Sequence, residues 1–398
     1  MRVSPMKVVL LIKTDDGGRW TLPHVDELRE RGHEVVAVLP PGSEGQLRKA
    51  LHDRGVDVVQ SAFDFRFRPR PATLGGLLGL RRQLRALGPD VLHYHLYASA
   101  LAARLAALGW DVAKVHMVPG PLFLESPLIR PVERLLCRLD DVTVGGSEHI
   151  SRLYRRLGLS AHRTPAIPYG VDVGYFQPPS EAYRATARAS LAVEDDTFVV
   201  VMVAYVYAPK RLVHPGLGVK GHDVLLRAWK DFARNNGNVR LVLLGGGFDA
   251  AGAAHKRELK ERFNVVKDHT IEWYDSVTDV RDVYAAADVS VSPSRSENHG
   301  AAREAAAMGV PNIVTDAGAL PETVDPASGW LVPKEDPEAL ATALREAHAD
   351  FRAGTLARRG ELARERAVRL FAELPNARLV ADVLERTVRE RRERRAGR

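Results

Sequence analysis

The feature that most constrains this 398-residue chain is the recurrence of short apolar runs separated by helix-length segments. Runs at 8–12, 34–39, 56–59, 91–95, 112–118 and 142–144 alternate with stretches rich in Leu, Ala and Arg, and a second series occupies 198–204, 239–244, 271–273, 289–292 and 330–332. A run that is apolar at successive positions needs cover on both faces, and strands alternating with helices provide it in a parallel sheet. The pattern therefore predicts doubly wound α/β architecture, written twice.

Length agrees with two or three domains, and 45% hydrophobic with 27% charged residues is ordinary for a globular chain. The single cysteine, Cys137, excludes a disulfide scaffold and a cysteine-ligated zinc site, and is expected in a core. The first apolar run is too short for a signal-peptide core and no stretch approaches membrane-spanning length, so a cytoplasmic location is expected. A formal charge of +7 favours acidic partners. Nothing implies a nucleic-acid partner, and the oligomeric state is left open.

The opening βαβ unit has a loop at 13–19 carrying Gly17-Gly18, a helix ending at Gly32 and a strand at 34–39. It lacks the glycine spacing of a dinucleotide fingerprint, which argues against a nicotinamide or flavin cofactor. His93 and His95 fall at the end of one strand and His116 near that of the next, where open parallel sheets bind ligands. The pair His93 and His95 has metal-like spacing, but the sequence offers no carboxylate or third histidine to complete a set, so both are read as structural and no metal is expected.

The stretch 289–324 reads as strand, loop, helix and strand. Its helix, expected from Gly300 to Gly309, would begin at the carboxyl end of a strand, where backbone N–H groups hold anions. Gly300 lets a ligand approach the backbone, and Glu304, one turn in, suits a ribose diol. Pro293-Ser294, Glu297, Gly300, Glu304, Gly309, Pro311 and Glu322 together resemble the donor-sugar motif of the family 4 glycosyltransferases. Two departures stand out. Glu297 and Glu304 are separated by six residues where the family has seven, and His299 occupies an aromatic position. Either a residue is absent between Gly300 and Glu304, or the first glutamate position falls on Ser296.

The resemblance extends to Lys220-Gly221 in the second half, while the arginine that the family carries before it is displaced: Tyr205 stands there, and a loop at 208–218 brings Lys210, Arg211 and His214. That loop is read either as a source of the missing charge or as a solvated insertion. The segment from Ile167 to Asp172 resembles the family's Ile-Pro-Asn-Gly-Val-Asp, with Tyr169 in place of Asn. What the resemblance implies is a GT-B fold of two Rossmann-like domains facing a cleft: 1–180 for the acceptor, 195–372 for the nucleotide-sugar, and a final helix within 373–398 that crosses back onto the first domain. The residues 177–194 become the link. It further implies a retaining, metal-independent transfer from a UDP- or GDP-linked sugar. His116, Lys220 and Glu297 are then the catalytic candidates, with Gly17, Gly18, Lys210, Arg211, Gly246, Gly300, Ala301, Ala302 and Glu304 binding the donor. The alternatives are another GT-B enzyme, such as an epimerase or phosphorylase, and an inactive membrane-binding relative.

The acceptor is left open among a small molecule, a saccharide and a lipid-linked compound. Residues 127–139 bear on it. Leu128, Val132, Leu135, Leu136 and Leu139 recur at helical spacing beside Arg130, Arg134 and Arg138, and Arg66, Arg68 and Arg70 lie earlier. Such a helix either docks on anionic lipid as a peripheral contact or turns its apolar face into the core; the second is the ordinary arrangement and is expected here.

Overall fold

The computed structural model describes residues 4–15, 17–68, 70–210 and 213–397, and the chain divides into two compact units: Met1–Gly170 with Glu373–Arg398, and Val171–Ala372. The first unit runs β1 (Lys7–Ile12), α1 (Leu22–Glu30), β2 (Glu34–Leu39), α2 (Gln46–Asp53), β3 (Asp57–Gln60), α3 (Pro71–Leu87), β4 (Val91–His95), α4 (Tyr97–Ala106), β5 (Ala113–Val118), α5 (Ile129–Leu136), β6 (Val142–Gly145) and α6 (Glu148–Arg156). The second runs α7 (Glu181–Ser190), β7 (Phe198–Val203), α8 (His222–Arg234), β8 (Val239–Leu244), α9 (Ala250–Arg262), β9 (Ile271–Tyr274), α10 (Val280–Ala286), β10 (Val289–Ser292), α11 (Ala302–Ala307), β11 (Asn312–Thr315), β12 (Gly329–Val332), α12 (Pro337–Arg352) and α13 (Leu356–Phe371). A last helix, α14 (Glu373–Ala396), belongs to the first unit.

Each unit is built on a six-stranded parallel sheet. The orders are β3-β2-β1-β4-β5-β6 and β9-β8-β7-β10-β11-β12. Strands such as VVLLI and LVLL are buried along nearly their whole length because helices cover both faces. On one face of the first sheet, Val380, Leu384 and Val388 of α14 join the core of α1 and β1; on the other, Leu80, Leu84 and Ala103 close the sheet. The chain reverses direction between β1 and β4 in one sheet and between β7 and β10 in the other, leaving a gap at the carboxyl ends of those strands.

Two segments differ from the sequence reading. Residues 177–194 hold α7, capped by the Ser180 hydroxyl and packed on α10 inside the second unit, rather than a link. Arg188 explains it: its buried guanidinium donates to the carbonyls of Ala286 (2.9 Å) and Thr197 (2.6 Å), tying the helix to the β7 edge. The other is α5. Much of its apolar stripe stays out of the core: Leu128 just before it is 65% exposed and Leu135 70%, Leu136 is half-buried, and Glu133 is fully buried.

Glu133 is drawn inward by Arg104. That guanidinium, sealed between β4, β5 and α5, donates to Glu133 (2.7 and 3.0 Å) and to Asp140 (2.9 and 2.6 Å), and the hydroxyls of Tyr154 (2.7 Å) and Tyr94 reach the same carboxylates. Burial raises the Glu133 carboxyl pKa against the opposing pull of Arg104. Removing one member of a buried charge set leaves the others uncompensated. Arg104→Met should therefore cost about 3–5 kcal/mol in denaturant unfolding; a loss below about 1 kcal/mol would show that α5 is held in this inverted setting by something else.

Candidate active site at the strand ends of the second unit

The gap between β7 and β10 is where the sequence candidates converge. Gly221 ends the loop after β7 in a left-handed conformation (φ 71°), and a Cβ there would stand 1.9 Å from the Pro293 carbonyl oxygen at the end of β10. Only glycine allows the two loops to touch. The contact is locked by Arg295, which the sequence reading passed over. Its buried guanidinium grips Asp223 through two bonds of 2.8 Å, reaches the Gly218 carbonyl at 2.6 Å and Glu335 at 2.9 Å, and its backbone N–H donates to Val219 at 2.8 Å.

On this floor Lys220 pairs with Glu297. Burial works against the ammonium, but the Glu297 charge outweighs it and leaves the Lys220 pKa raised, so the group stays a cation. Glu297 is itself held: Oε1 accepts the Asn298 N–H at 3.0 Å, and its carbonyl accepts the Ala319 N–H at 3.1 Å. It is thus Glu297 that reaches Lys220, while Ser296 is buried beside it. Gly300 (φ 45°) backs onto the Glu297 carboxylate, where a Cβ would lie 3.0 Å from Cδ.

Helix α11 is shorter than expected, six residues from Ala302, so its N-terminal dipole is weak. Ala301 and Ala302 sit at its start, their carbonyls occupied by the Tyr284 hydroxyl (3.3 Å) and the Asn312 amide (2.9 Å). Glu304 lies in the first turn and accepts from Tyr284 at 3.3 Å; burial raises its pKa. His299 does stand in for an aromatic: fully buried, it packs on Phe371 at 4.6 Å.

Beside Lys220 lies an aromatic group that the sequence did not single out. Tyr207 stacks on Phe248 at 4.8 Å and Tyr205 meets the same ring edge-on at 6.0 Å, with Tyr205 and Phe248 more than half exposed. Burial raises the Tyr207 phenol, against the opposing charge of nearby Lys220. Gly246 lies under this group, its carbonyl accepting the Val206 N–H at 2.9 Å. Lys210 is exposed, its carbonyl accepting the Val213 N–H at 3.2 Å, and Arg211 lies outside the described residues.

The remaining candidates belong to the first unit. Gly17 and Gly18 occupy the loop after β1, pinned where the Gly45 N–H donates to Asp15 at 2.8 Å. His116 corrects the sequence reading: it is sealed on β5, its Nδ1 accepting from Arg104 at 3.1 Å, and with no exposed surface it cannot touch a sugar. The sequence had no means of pairing it with Arg104, twelve residues earlier. His93 and His95 are also buried, but a third histidine, His24 of α1, joins them, which overturns the expectation that no third ligand is in reach.

Burial and the adjacent His93 hold the His24 pKa down at about 3, burial holds His93 at about 4 despite its bond to the Val115 carbonyl, and burial with three neighbouring imidazoles holds His95 well below its ordinary value. A histidine with a lower pKa folded than unfolded takes up its proton on unfolding. The stability it lends is complete above about pH 6.5 and is lost as pH falls toward about 4, at up to about 1.4 kcal/mol per pH unit for each group. Thermal unfolding followed over that window should show a shallower pH slope in His24→Gln than in the unsubstituted protein; equal slopes would contradict the assignment.

The two-sheet fold and the strand-end site define a GT-B-type protein. The family described as Glycosyltransferase Family 4 matches residues 18–175, and that described as Glycosyl transferases group 1 matches 205–350. The chain belongs to this glycosyltransferase family. Among its relatives, the D-inositol 3-phosphate glycosyltransferase of Xylanimonas cellulosilytica is 31% identical over 280 residues, covering 66% of this chain and 64% of that protein. A similar protein from Saccharomonospora viridis is matched over 61% of its length, so the chain spans under two thirds of these relatives. Among solved structures, a glycosyltransferase from Rickettsia africae superimposes with a TM-score of 0.79 at 16% identity, covering 97% of this chain and 99% of that one. Anabaena HepE in complex with UDP and glucose gives 0.77 at 19%, covering 95% and 99%.

Proposed function

We propose that this protein transfers a sugar from a nucleoside diphosphate to an acceptor hydroxyl, with retention of configuration and without a metal at the diphosphate. The observation that carries this reading is the Lys220–Glu297 pair at the switch point of the second sheet, flanked by Glu304 and by the exposed aromatic group. When the bond from the anomeric carbon to the diphosphate breaks, the electron pair leaves with the phosphate oxygen, and negative charge grows there. Lys220 is a cation placed to meet it, and a diphosphate would take the place that the Glu297 carboxylate now holds. Because α11 is short, more of this stabilisation falls to Lys220 than a helix terminus would supply.

Glu304 suits the ribose diol and the Tyr205–Phe248 group suits a stacked base. The name of the Xylanimonas relative favours a phosphorylated inositol as the first acceptor to try, and the HepE complex favours UDP-glucose among UDP- and GDP-linked donors. Turnover is read as release of UDP or GDP. Lys220→Ala should lower the rate about a hundredfold or more at saturating donor, a loss typical of one removed charge stabiliser. In the same assay Glu304→Ala should cost about 1.5–3 kcal/mol of donor affinity. Withholding Mg2+ should change neither. No nucleotide release from either donor class with inositol phosphate, saccharide or lipid acceptors would overturn the reading, and would turn attention to epimerase or phosphorylase chemistry or to an inactive binding protein.

A second reading concerns where transfer takes place, and α5 favours it. Leu128, Val132 and Leu135 are exposed in company with Arg130, Arg134 and Arg138, the composition of a helix that lies in a lipid interface. No helix among the described residues is long and apolar enough to cross a membrane, so contact would be peripheral. Each arginine near an anionic surface contributes about 1 kcal/mol. The protein should sediment with anionic but not neutral vesicles, and less so at high salt or after Leu128 and Leu135 are replaced by Ser. Protein that stays in the supernatant with anionic vesicles at low salt would sink the idea and leave soluble acceptors.

A further inference from the structure

At the switch point of the first unit, His24 of α1 meets His93 and His95 of β4, with one ring nitrogen from each within 4.8 Å of the other two. All three side chains are buried. The Nδ1–H of His93 donates to the Val115 carbonyl at 3.3 Å. That of His95 donates to the Tyr169 hydroxyl at 2.8 Å, whose own proton goes to the Met117 carbonyl at 3.3 Å. These bonds set both tautomers and leave each Nε2 as a bare lone pair. Among the described residues neither Nε2 has a hydrogen-bond partner, and neither do the two nitrogens of His24.

We propose that this cluster is a binding site for one divalent d-block ion of the zinc type, ligated by His24, His93 and His95 with a water in the fourth place. The chemistry of the donors selects the class: three uncharged imidazoles with no carboxylate suit zinc, cobalt, nickel or copper, not magnesium or calcium. The bonds from His93 and His95 to a backbone carbonyl and a tyrosine are the outer-shell contacts that orient metal-binding histidines. Zinc with bonds of about 2.0 Å needs its ligands roughly 3.3 Å apart, so the rings must close by on the order of 1 Å. A trapped water is the competing occupant, but it has two protons for three lone pairs, whereas a cation serves all three. The ion would brace α1 against β4 beneath the loop that carries Gly17 and Gly18. The site is built from residues of the first unit alone, and the proposal does not rest on the transfer reading.

The full-length protein, stripped with a chelator, is titrated with Co2+ and then with Zn2+. The expected result is uptake of one Co2+ per chain with the visible d–d absorption of a low-coordinate site, displacement of Co2+ by Zn2+, and a higher melting temperature with Zn2+ but not Mg2+. His24→Gln and His93→Gln should abolish uptake, while His52→Gln, on the exposed side of α2, should keep it. Should the variants not fold, X-ray absorption of the zinc-loaded wild type decides, with three imidazole ligands expected. Absence of stoichiometric uptake by the wild type, uptake that survives in folded His24→Gln, or an absorption spectrum without three imidazoles overturns the proposal and leaves a buried water as the occupant.

Discussion

The candidate site rests on one buried ion pair. Arg295 and Asp223 join the loop after β10 to the first turn of α8, across the line where the second sheet reverses its winding. Without that clamp nothing in the sheet itself would hold the two loops together, because β7 and β10 share only a short register, Val289 with Val200 and Ser290 with Val201. Charge is the appropriate material here. The carbonyls of Gly218 and Val219 lie in the same gap, and the guanidinium with its backbone N–H satisfies both while Asp223 neutralises it. Lys220 sits directly after these carbonyls, so its reach toward Glu297 follows from the clamp.

The framework was legible in the sequence because it depends on local pattern. Strands 34–39, 91–95, 239–244 and 289–292 fall where their apolar runs place them, since a strand covered on both faces has no other composition available. Lys220, Glu297, Gly300 and Glu304 were legible as a motif, and the structure brings Lys220 and Glu297 into contact across 77 residues. What could not be read are the pairings set by tertiary contact. Arg295 follows a strand end and looks like any surface arginine until Asp223 is brought to it. His24 lies on an amphipathic helix, where nothing in its spacing points to His93. Tyr207 and Phe248 belong to loops on different strands and meet only because those strands are neighbours.

Helix α5 shows how a binary pattern can mislead. Its leucines and arginines follow the periodicity of a helix with one face in the core, and that periodicity is real. The orientation is decided by a different term: Arg104 and Tyr154 are already buried, and a carboxylate that can satisfy both outweighs the burial of a few leucines. The same choice also seals His116 away, since Arg104 takes up its Nδ1. An apolar face is thereby turned to solvent, with Leu128, Val132 and Leu135 left outside the core.

Comparing the two units separates what the fold provides from what the residues provide. Both sheets have the same strand order and both reverse at the same point, so each offers a gap at equivalent strand ends. In the second unit that gap holds an ammonium paired with a carboxylate, Lys220 with Glu297. In the first it holds three buried imidazoles, those of His24, His93 and His95, with one ring nitrogen of each within 4.8 Å of the others. The same architecture therefore carries different side chains in its two copies, and the difference lies in a few residues at the strand ends rather than in the sheets that carry them.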